Sequence, residues 1–163
     1  MLKKWWMMVL CALLLAGCGH EQTMETVADA WAEPAMVEPR QVQAELPEEA
    51  AEPVVESGEE RVYLTRDYEI QIRTLEGGNL DATIRELTGF GREELTVIQT
   101  LRQEMPCYQF VWACAGEAGE QLGRGIVLDD GQYHYCMTVL RNAEEADTCQ
   151  VVWSHVFETF CLV

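Results

Sequence analysis

The sequence has very little lysine and histidine. Lys3 and Lys4 are the only lysines, so 28 acidic residues face 11 basic ones and the net charge is −17. A body this acidic disfavours nucleic acid and anionic lipid as partners, because both repel negative charge. The three histidines, His20, His134 and His155, leave few general bases or metal ligands to consider.

Membrane-spanning runs and paired cysteine motifs are also missing. The apolar run from Trp5 to Ala16 is charge-free but too short to cross a bilayer as a helix. The seven cysteines form no Cys-x-x-Cys pair, so zinc-ribbon and thioredoxin-type sites lose their main support. With 163 residues, the chain has room for one ordinary domain and a tail.

The apolar run follows a positive start and ends at a cysteine. Lys3 and Lys4 precede it, and it closes on Leu15-Ala16-Gly17-Cys18. This tetrapeptide resembles the lipobox of bacterial lipoprotein signal peptides, in which the cysteine is lipidated and cleavage falls just before it. The resemblance implies a signal peptide over residues 1–17, a lipid anchor such as palmitate on Cys18, and export to the cell envelope. An ordinary secretory signal and a hydrophobic N-terminal core helix are the alternatives.

Residues 18–60 differ from the remainder in composition. From Gly19 to Glu60 the chain contains 12 acids, one base and four of the five prolines, with no apolar period. Chain entropy and charge repulsion predict a disordered acidic tether that spans about 35 Å as a flexible coil. A partial helix from Gln22 to Trp31 is the alternative. The folded domain is then predicted over residues 61–163.

The predicted domain carries alternating strand patterns and two helical stripes. Strands are predicted over residues 68–73, 95–101, 107–115, 121–128 and 132–140, and helices over 79–89 and 143–160. Asn79 and Gly89 are the cap residues of the first helix, and Asp129 to Gly131 predict a hairpin turn. The strand over 107–115 is almost continuously apolar, which predicts a central strand covered on both faces. The fold class is therefore α+β, an antiparallel sheet with a short helix and a C-terminal helix packed on it.

The last helix is predicted to pack through a stripe of apolar residues at helical spacing, Ala146, Cys149, Trp153, Val156 and Phe160.

The C-terminal part of the chain resembles the end of PsbP-like domains. The resemblance lies in the run from Val127 to Tyr135, followed by a strand, an acidic break and a helix ending in Glu158-Thr159-Phe160. Those domains are sandwiches of an antiparallel sheet and helices, found in photosystem extrinsic proteins, a nuclear-import factor and many bacterial lipoproteins. The resemblance implies a binding or assembly accessory, and it implies no catalytic residues.

Few residues qualify as site candidates. Tyr133 and Tyr135 begin an apolar stripe on one strand that predicts either a ligand groove or a piece of core, together with Met137, Val139 and, on a neighbouring strand, Tyr108, Phe110 and Trp112. His134 with Cys136, or Cys149 with His155, could form a zinc cluster or a dyad, but no motif supports either, and packing is the favoured interpretation. Gly123 and Gly125 do not complete a phosphate loop and are interpreted as strand-end or bulge glycines.

Five cysteines follow Cys18, namely Cys107, Cys114, Cys136, Cys149 and Cys161. Their odd number leaves at least one free thiol in an exported monomer. Spacing along single elements permits only bonds between elements, for instance Cys136 with Cys149, and buried free thiols are the alternative.

The sequence therefore predicts a membrane-anchored surface lipoprotein without enzymatic activity, cofactor, metal or nucleic-acid partner. We expect its domain to bind an envelope protein or a small ligand, or to assist envelope assembly. An envelope hydrolase and a purely structural module are the alternatives, and a pocket with convergent titratable groups would favour the hydrolase.

Overall fold

The computed structural model describes residues 37–116, 119–145 and 150–163. In chain order its strands and helices are β1 (Val42–Gln43), β2 (Val55–Glu56), β3 (Glu60–Leu64), β4 (Tyr68–Glu76), α1 (Leu80–Thr88), β5 (Val97–Arg102), β6 (Met105–Gly116), β7 (Gly119–Asp129), β8 (Tyr133–Asn142), α2 (Gln150–Thr159) and β9 (Cys161–Leu162). Short 3₁₀ turns occupy Glu48–Ala50, Arg92–Glu94 and Ala143–Glu145. No helix of these described ranges is long and apolar enough to span a membrane.

Seven of the described strands form one antiparallel sheet in the order β2-β3-β4-β8-β7-β6-β5. Strand β8 lies at its centre, with Val139 opposite Ile70 of β4 and Met137 opposite Ile126 of β7. Ile70, Ile126 and Met137 are fully buried, as the alternating pattern predicts. The predicted α+β class with an antiparallel sheet is confirmed.

Apolar side chains cover both faces of the sheet. One face, the α2 face, carries a core cluster that joins sheet residues to helix α2, including Ile70, Met137, Val139, Trp153, Val156 and Phe157. The opposite face, the α1 face, carries a second cluster of Ile84, Phe110, Trp112, Val127 and Cys136. Because side chains alternate along a strand, neighbours such as Cys136 and Met137 belong to different clusters.

Helix α1 has the ends that the sequence predicts. The Asn79 side chain accepts the N–H groups of Asp81 and Ala82 at 3.0 and 3.3 Å, and Gly89 closes the helix with a φ of 80°. Ile84 is fully buried against the sheet. Local capping therefore positions α1, and one apolar stripe attaches it.

Helix α2 is shorter than the predicted helix over residues 143–160. It begins at Gln150 and ends at Thr159, after which the chain enters β9. Trp153, Val156 and Phe160 are buried as predicted. Ala146 and Cys149 of the predicted stripe lie outside the described residues.

Residues 37–60 are part of the folded unit, which corrects the predicted boundary at Arg61. Strand β1 pairs with β9, with Val42 opposite Leu162, and Val42 and Ala50 are buried in the core of the α2 face. The pairing partner lies at the other end of the chain, so no local pattern in this acidic segment indicates it. The predicted disordered tether is therefore wrong for residues 37–60, and residues 18–36 lie outside the described part.

Strand β6 is not the central strand that its apolar run predicts. It lies beside the edge strand β5, and its outer half is covered on one face only: Trp112 is buried, whereas Val111 is 59% exposed. On the covered face, two glycines of β7 leave room for aromatic rings of β6. Gly123 lies opposite Trp112 and Gly125 opposite Phe110, inside β7, and a Cβ at either position would collide with the ring. They are close-approach glycines within a strand, not strand-end or bulge glycines.

Candidate functional site

A groove opens on the α2 face beside helix α2, over parts of β6, β7 and β8. Its volume is about 490 Å³, within the usual range for a small-molecule site. Its lining is apolar apart from two arginines and comprises Val111, Trp112, Ala113, Leu122, Gly123, Arg124, Val139, Arg141, Trp153 and Phe157. The groove therefore combines an open apolar floor with two cations.

Two rows of cross-strand neighbours on β6, β7 and β8 form the floor. The first row is Val111, Arg124 and Val139, and the second is Ala113, Leu122 and Arg141. The β6–β7 register, in which Gly116 pairs with Gly119, fixes the β6 and β7 members of both rows, and the β7–β8 register fixes Val139 and Arg141. Small or short side chains at the β6 positions keep the floor open.

Arg124 is half-buried at the middle of the floor. Its guanidinium lies 4.2 Å from the centre of the Phe157 ring and donates a hydrogen bond to the Gln109 side-chain oxygen at 3.2 Å. Burial lowers the pKa of Arg124; the negative charge of Glu158 opposes that effect, and the positive charge of Arg102 adds to it. The group nevertheless remains a cation at neutral pH, because the ordinary pKa of arginine is so high.

Trp153 and Phe157 of α2 form the wall of the groove. Both are buried, and one turn of helix separates them, so they present adjacent ring surfaces. The Arg141 guanidinium lies 5.9 Å from the Trp153 ring centre. Each arginine thus stands beside an aromatic ring of the helix.

The sequence-predicted ligand residues Tyr133 and Tyr135 do not line this groove. Tyr135 is fully buried, and its hydroxyl accepts the Arg40 backbone N–H at 3.0 Å and donates to an Asp130 carboxylate oxygen at 2.9 Å. Tyr133 is partly buried and packs against the same core, with its ring centre 6.2 Å from that of Tyr135. Tyr135 therefore links the β7–β8 turn to the segment ahead of β1.

The two aromatic stripes of the sequence prediction lie on opposite faces of the sheet. Tyr135, Met137 and Val139 belong to the α2 face, whereas Phe110 and Trp112 belong to the α1 face. The strands are close, but the register pairs Tyr135 with Leu128 and Leu128 with Cys107. Of the two stripes only Val139 and Trp112 line the groove, so the stripes as a whole do not form one joint groove.

His134 is fully buried under helix α1. Its Nδ1 atom shares a hydrogen bond with the Thr83 hydroxyl at 2.7 Å, and its Nε2 atom lies 3.7 Å from an Asp129 carboxylate oxygen. Cys136, on the same face, donates to the His134 carbonyl oxygen at 3.6 Å, and burial raises the pKa of its thiol. The favoured interpretation of these residues as packed core agrees with this burial.

His155 lies on the other side of the sheet from His134. Its ring is exposed on α2 and pairs with Glu45 at 2.7 Å. Cys107, Cys114, Cys136 and Cys161 are free thiols, and Cys149, the other member of the possible Cys136–Cys149 bond, lies outside the described residues. In the part of the chain that the structure describes, no group of three or more His, Cys, Asp or Glu residues is placed to hold a metal ion.

The Asp129-Asp130 pair makes the predicted turn. Asp129 accepts the Gly131 N–H at 2.8 Å, and Asp130 accepts the N–H groups of Gln132 and Tyr133 at 3.0 and 2.8 Å. The predicted hairpin at Asp129 to Gly131 is confirmed, and both carboxylates have local backbone partners.

Arg124, Arg141 and Val111 are among the groove residues that sequence reasoning missed. A signal existed: Gly116 pairs with Gly119 at the end of the two strands, and counting the antiparallel register back from that pair places Val111 opposite Arg124. The position of α2 over the sheet decides which floor residues stay exposed, and no local sequence pattern indicates that position.

These features define an α+β sandwich with an open apolar groove on one face. No protein-family model and no curated protein matches the sequence. Among solved structures, the chain is similar to LpqN of Mycobacterium tuberculosis, a protein involved in cell envelope biogenesis. The TM-score is 0.51 at 11% identity, over 77% of this chain and 86% of LpqN.

A second solved structure, cyanobacterial PsbP (CyanoP) from Synechocystis, has a TM-score of 0.49 at 12% identity, over 82% of this chain and 99% of CyanoP. The chain thus shares its fold with LpqN at 11% sequence identity. A shared fold at such low identity does not transfer a binding or catalytic role, which depends on the site itself.

Proposed function

We propose that this chain is a lipid-anchored lipoprotein of the bacterial cell envelope that binds a small apolar ligand without transforming it. The observation that carries the proposal is the groove beside α2, an open cavity of about 490 Å³ whose lining is apolar except for two arginines. Apolar surface left open to water beside a helix is typical of a binding surface.

The chemistry of the lining supports binding over catalysis. The described lining residues contribute aromatic, aliphatic and guanidinium groups, and none contributes a carboxylate, imidazole, thiol or hydroxyl. A guanidinium that stays protonated does not act as a general base or a nucleophile. The residues that face the groove can therefore hold and orient a ligand, and they offer no group to attack it.

Two further observations support the envelope location. The sequence Leu15-Ala16-Gly17-Cys18 resembles a lipobox after a short charged and apolar leader. LpqN, which shares the fold, is involved in cell envelope biogenesis. An anchored binding domain at a bacterial membrane is consistent with both.

The anchor is tested by metabolic labelling with a palmitate analogue in a bacterial host. We expect the parent chain to incorporate label and Cys18→Ala to lose it. Cys11→Ala is the matched control, because Cys11 lies inside the apolar run and should leave labelling intact. Label retained in Cys18→Ala, or absent from the parent, would contradict the anchor.

The binding role is tested by native mass spectrometry of the chain purified from its host membranes. We expect a co-purifying small molecule that is lost in Val111→Glu and kept in Ile98→Glu. Both positions are 59% exposed, but only Val111 lines the groove. Absence of any bound molecule, combined with turnover in a panel of envelope hydrolase substrates, would favour the hydrolase alternative.

A further inference from the structure

Arg124 lies in a strongly acidic chain, and the negative charge of Glu158 acts on it without forming an ion pair with it. Arg73, Arg85 and Arg92 each form an ion pair with a glutamate or aspartate. Among the described residues, no carboxylate forms an ion pair with Arg124, whose one hydrogen-bond acceptor is the neutral side chain of Gln109. A half-buried cation of this kind is an unusual feature in a chain of net charge −17.

The geometry of Arg124 leaves its hydrogen-bonding capacity largely unused. One guanidinium nitrogen donates to Gln109, while the ring of Phe157 covers the guanidinium at 4.2 Å. A guanidinium carries five N–H donors in a planar fork that matches a carboxylate or a phosphate. The neighbouring lining of Val111, Leu122, Val139 and Trp153 is apolar and suits a hydrocarbon chain.

We infer that the groove binds a single-chain amphiphile with an anionic headgroup, whose hydrocarbon chain packs on the apolar floor and whose headgroup is bound by Arg124. This inference rests on the proposed function, because it names the ligand class of the same groove. All ligands of this class have a carboxylate or phosphate group joined to one apolar chain. Arg141, in the next row of the floor, adds positive charge at the same site.

A peptide strand is less compatible with this geometry. Strand β5 ends its pairing at Val97 opposite Phe110, so a peptide could add to β6 from Val111 onwards. Such a strand would lie in the plane of the sheet, about 10 Å from β7, since neighbouring strands are about 4.8 Å apart. It would leave Arg124, which belongs to β7, without an anion.

The test uses the full chain in nanodiscs of zwitterionic lipid and two photoactivatable probes, diazirine-bearing dodecanoate and diazirine-bearing dodecanol. We expect the carboxylate probe to label groove residues, as mapped by mass spectrometry. Unlabelled dodecanoate and dodecyl phosphate should compete about 10- to 100-fold better than dodecanol, which is the range expected for hydrogen bonds to a charged group. The relative competition by dodecanoate and by dodecyl phosphate shows whether the groove prefers a carboxylate or a phosphate headgroup.

Arg124→Gln should remove the preference for the anion and retain labelling by the alcohol probe. Arg66→Gln is the matched control, because the Arg66 side chain is 95% exposed in a loop. If Arg124→Gln fails to fold, Val111→Glu serves instead, since it places a carboxylate opposite Arg124 as an internal competitor. Ile98→Glu is its control.

The outcomes separate the inference from the proposed function. If both probes label the groove equally and Arg124→Gln changes nothing, the amphiphile inference is overturned and the proposed binding role stands. If neither probe labels the groove, both are overturned. Labelling confined to the free edge of β6 by an added apolar peptide, without labelling by either probe, would replace the amphiphile with a peptide partner. The net charge of the chain repels anions at long range, so a preference for dodecanoate requires a local cation.

Discussion

The ring of Tyr68 meets the indole of Trp153 edge to face, with ring centres 4.7 Å apart and planes at 82°. Tyr68 begins strand β4 and Trp153 lies in helix α2, so this contact fastens the helix to the sheet beside the groove. Edge-to-face aromatic pairs contribute more than the area that they bury. The wall of the groove and the stability of the domain therefore depend on the same indole.

Truncation of Trp153 should destabilise the domain strongly. We expect Trp153→Ala to lower the free energy of unfolding by about 3–5 kcal/mol, because it removes a buried aromatic ring from the core. His155→Ala on the same helix is the control, since an exposed ion pair contributes about 1 kcal/mol or less. Urea unfolding followed by circular dichroism measures both, and a parent-like midpoint for Trp153→Ala would contradict the packing.

The cysteines should differ in reactivity according to burial. Cys107 and Cys136 are buried, and burial raises the pKa of the Cys136 thiol, so little thiolate forms there. Cys114 and Cys161 are partly exposed. We expect iodoacetamide at mildly alkaline pH to alkylate Cys114 and Cys161 first in the folded chain. In urea we expect all four of these cysteines to be alkylated. Rapid native alkylation of Cys136, read by mass spectrometry, would show that the α1 face opens.

Local signals account for the parts of the fold that the sequence predicts well. The caps of α1, the alternation in β4 and the Asp129 to Gly131 turn all depend on residues within a few positions of one another. Tertiary context has little influence on such features, because capping hydrogen bonds and turn geometry are formed within the segment itself.

Long-range relationships account for the parts that the sequence did not predict. The pairing of Val42 with Leu162 joins the two ends of the described chain, and its two-residue strands are too short for a periodic signal. The groove likewise depends on where α2 lies over the sheet. Composition alone makes residues 37–60 resemble a solvated spacer, although two apolar side chains and strand pairing order them.

Limited proteolysis should reveal the early start of the folded unit. We expect the stable fragment to retain Val42, which is buried and paired, instead of beginning near Arg61. Val42→Asp should expose residues 37–60 to cleavage, because it places a charge in the core of the α2 face. Val37→Asp is the matched control, since Val37 is 66% exposed. A protected parent fragment that starts near Arg61 would contradict the β1–β9 pairing.

Asp130 should make the stability of the domain depend on pH. Burial raises the pKa of its carboxyl, but the N–H groups of Tyr133 and Gln132, the Tyr135 hydroxyl and Arg40 together outweigh burial and lower it below 3.8. A lowered folded-state pKa means that the contribution to stability is complete above the ordinary value and is lost as the pH falls through the folded-state value. We expect Asp130→Asn to cost about 1 kcal/mol at neutral pH and progressively less as the pH falls through the lowered pKa, because the parent carboxyl then becomes protonated as well. Urea unfolding of both chains across this range gives the difference, with the exposed Asp67→Asn as control. A cost that stays constant with pH would show that Asp130 stabilises the turn without its charge.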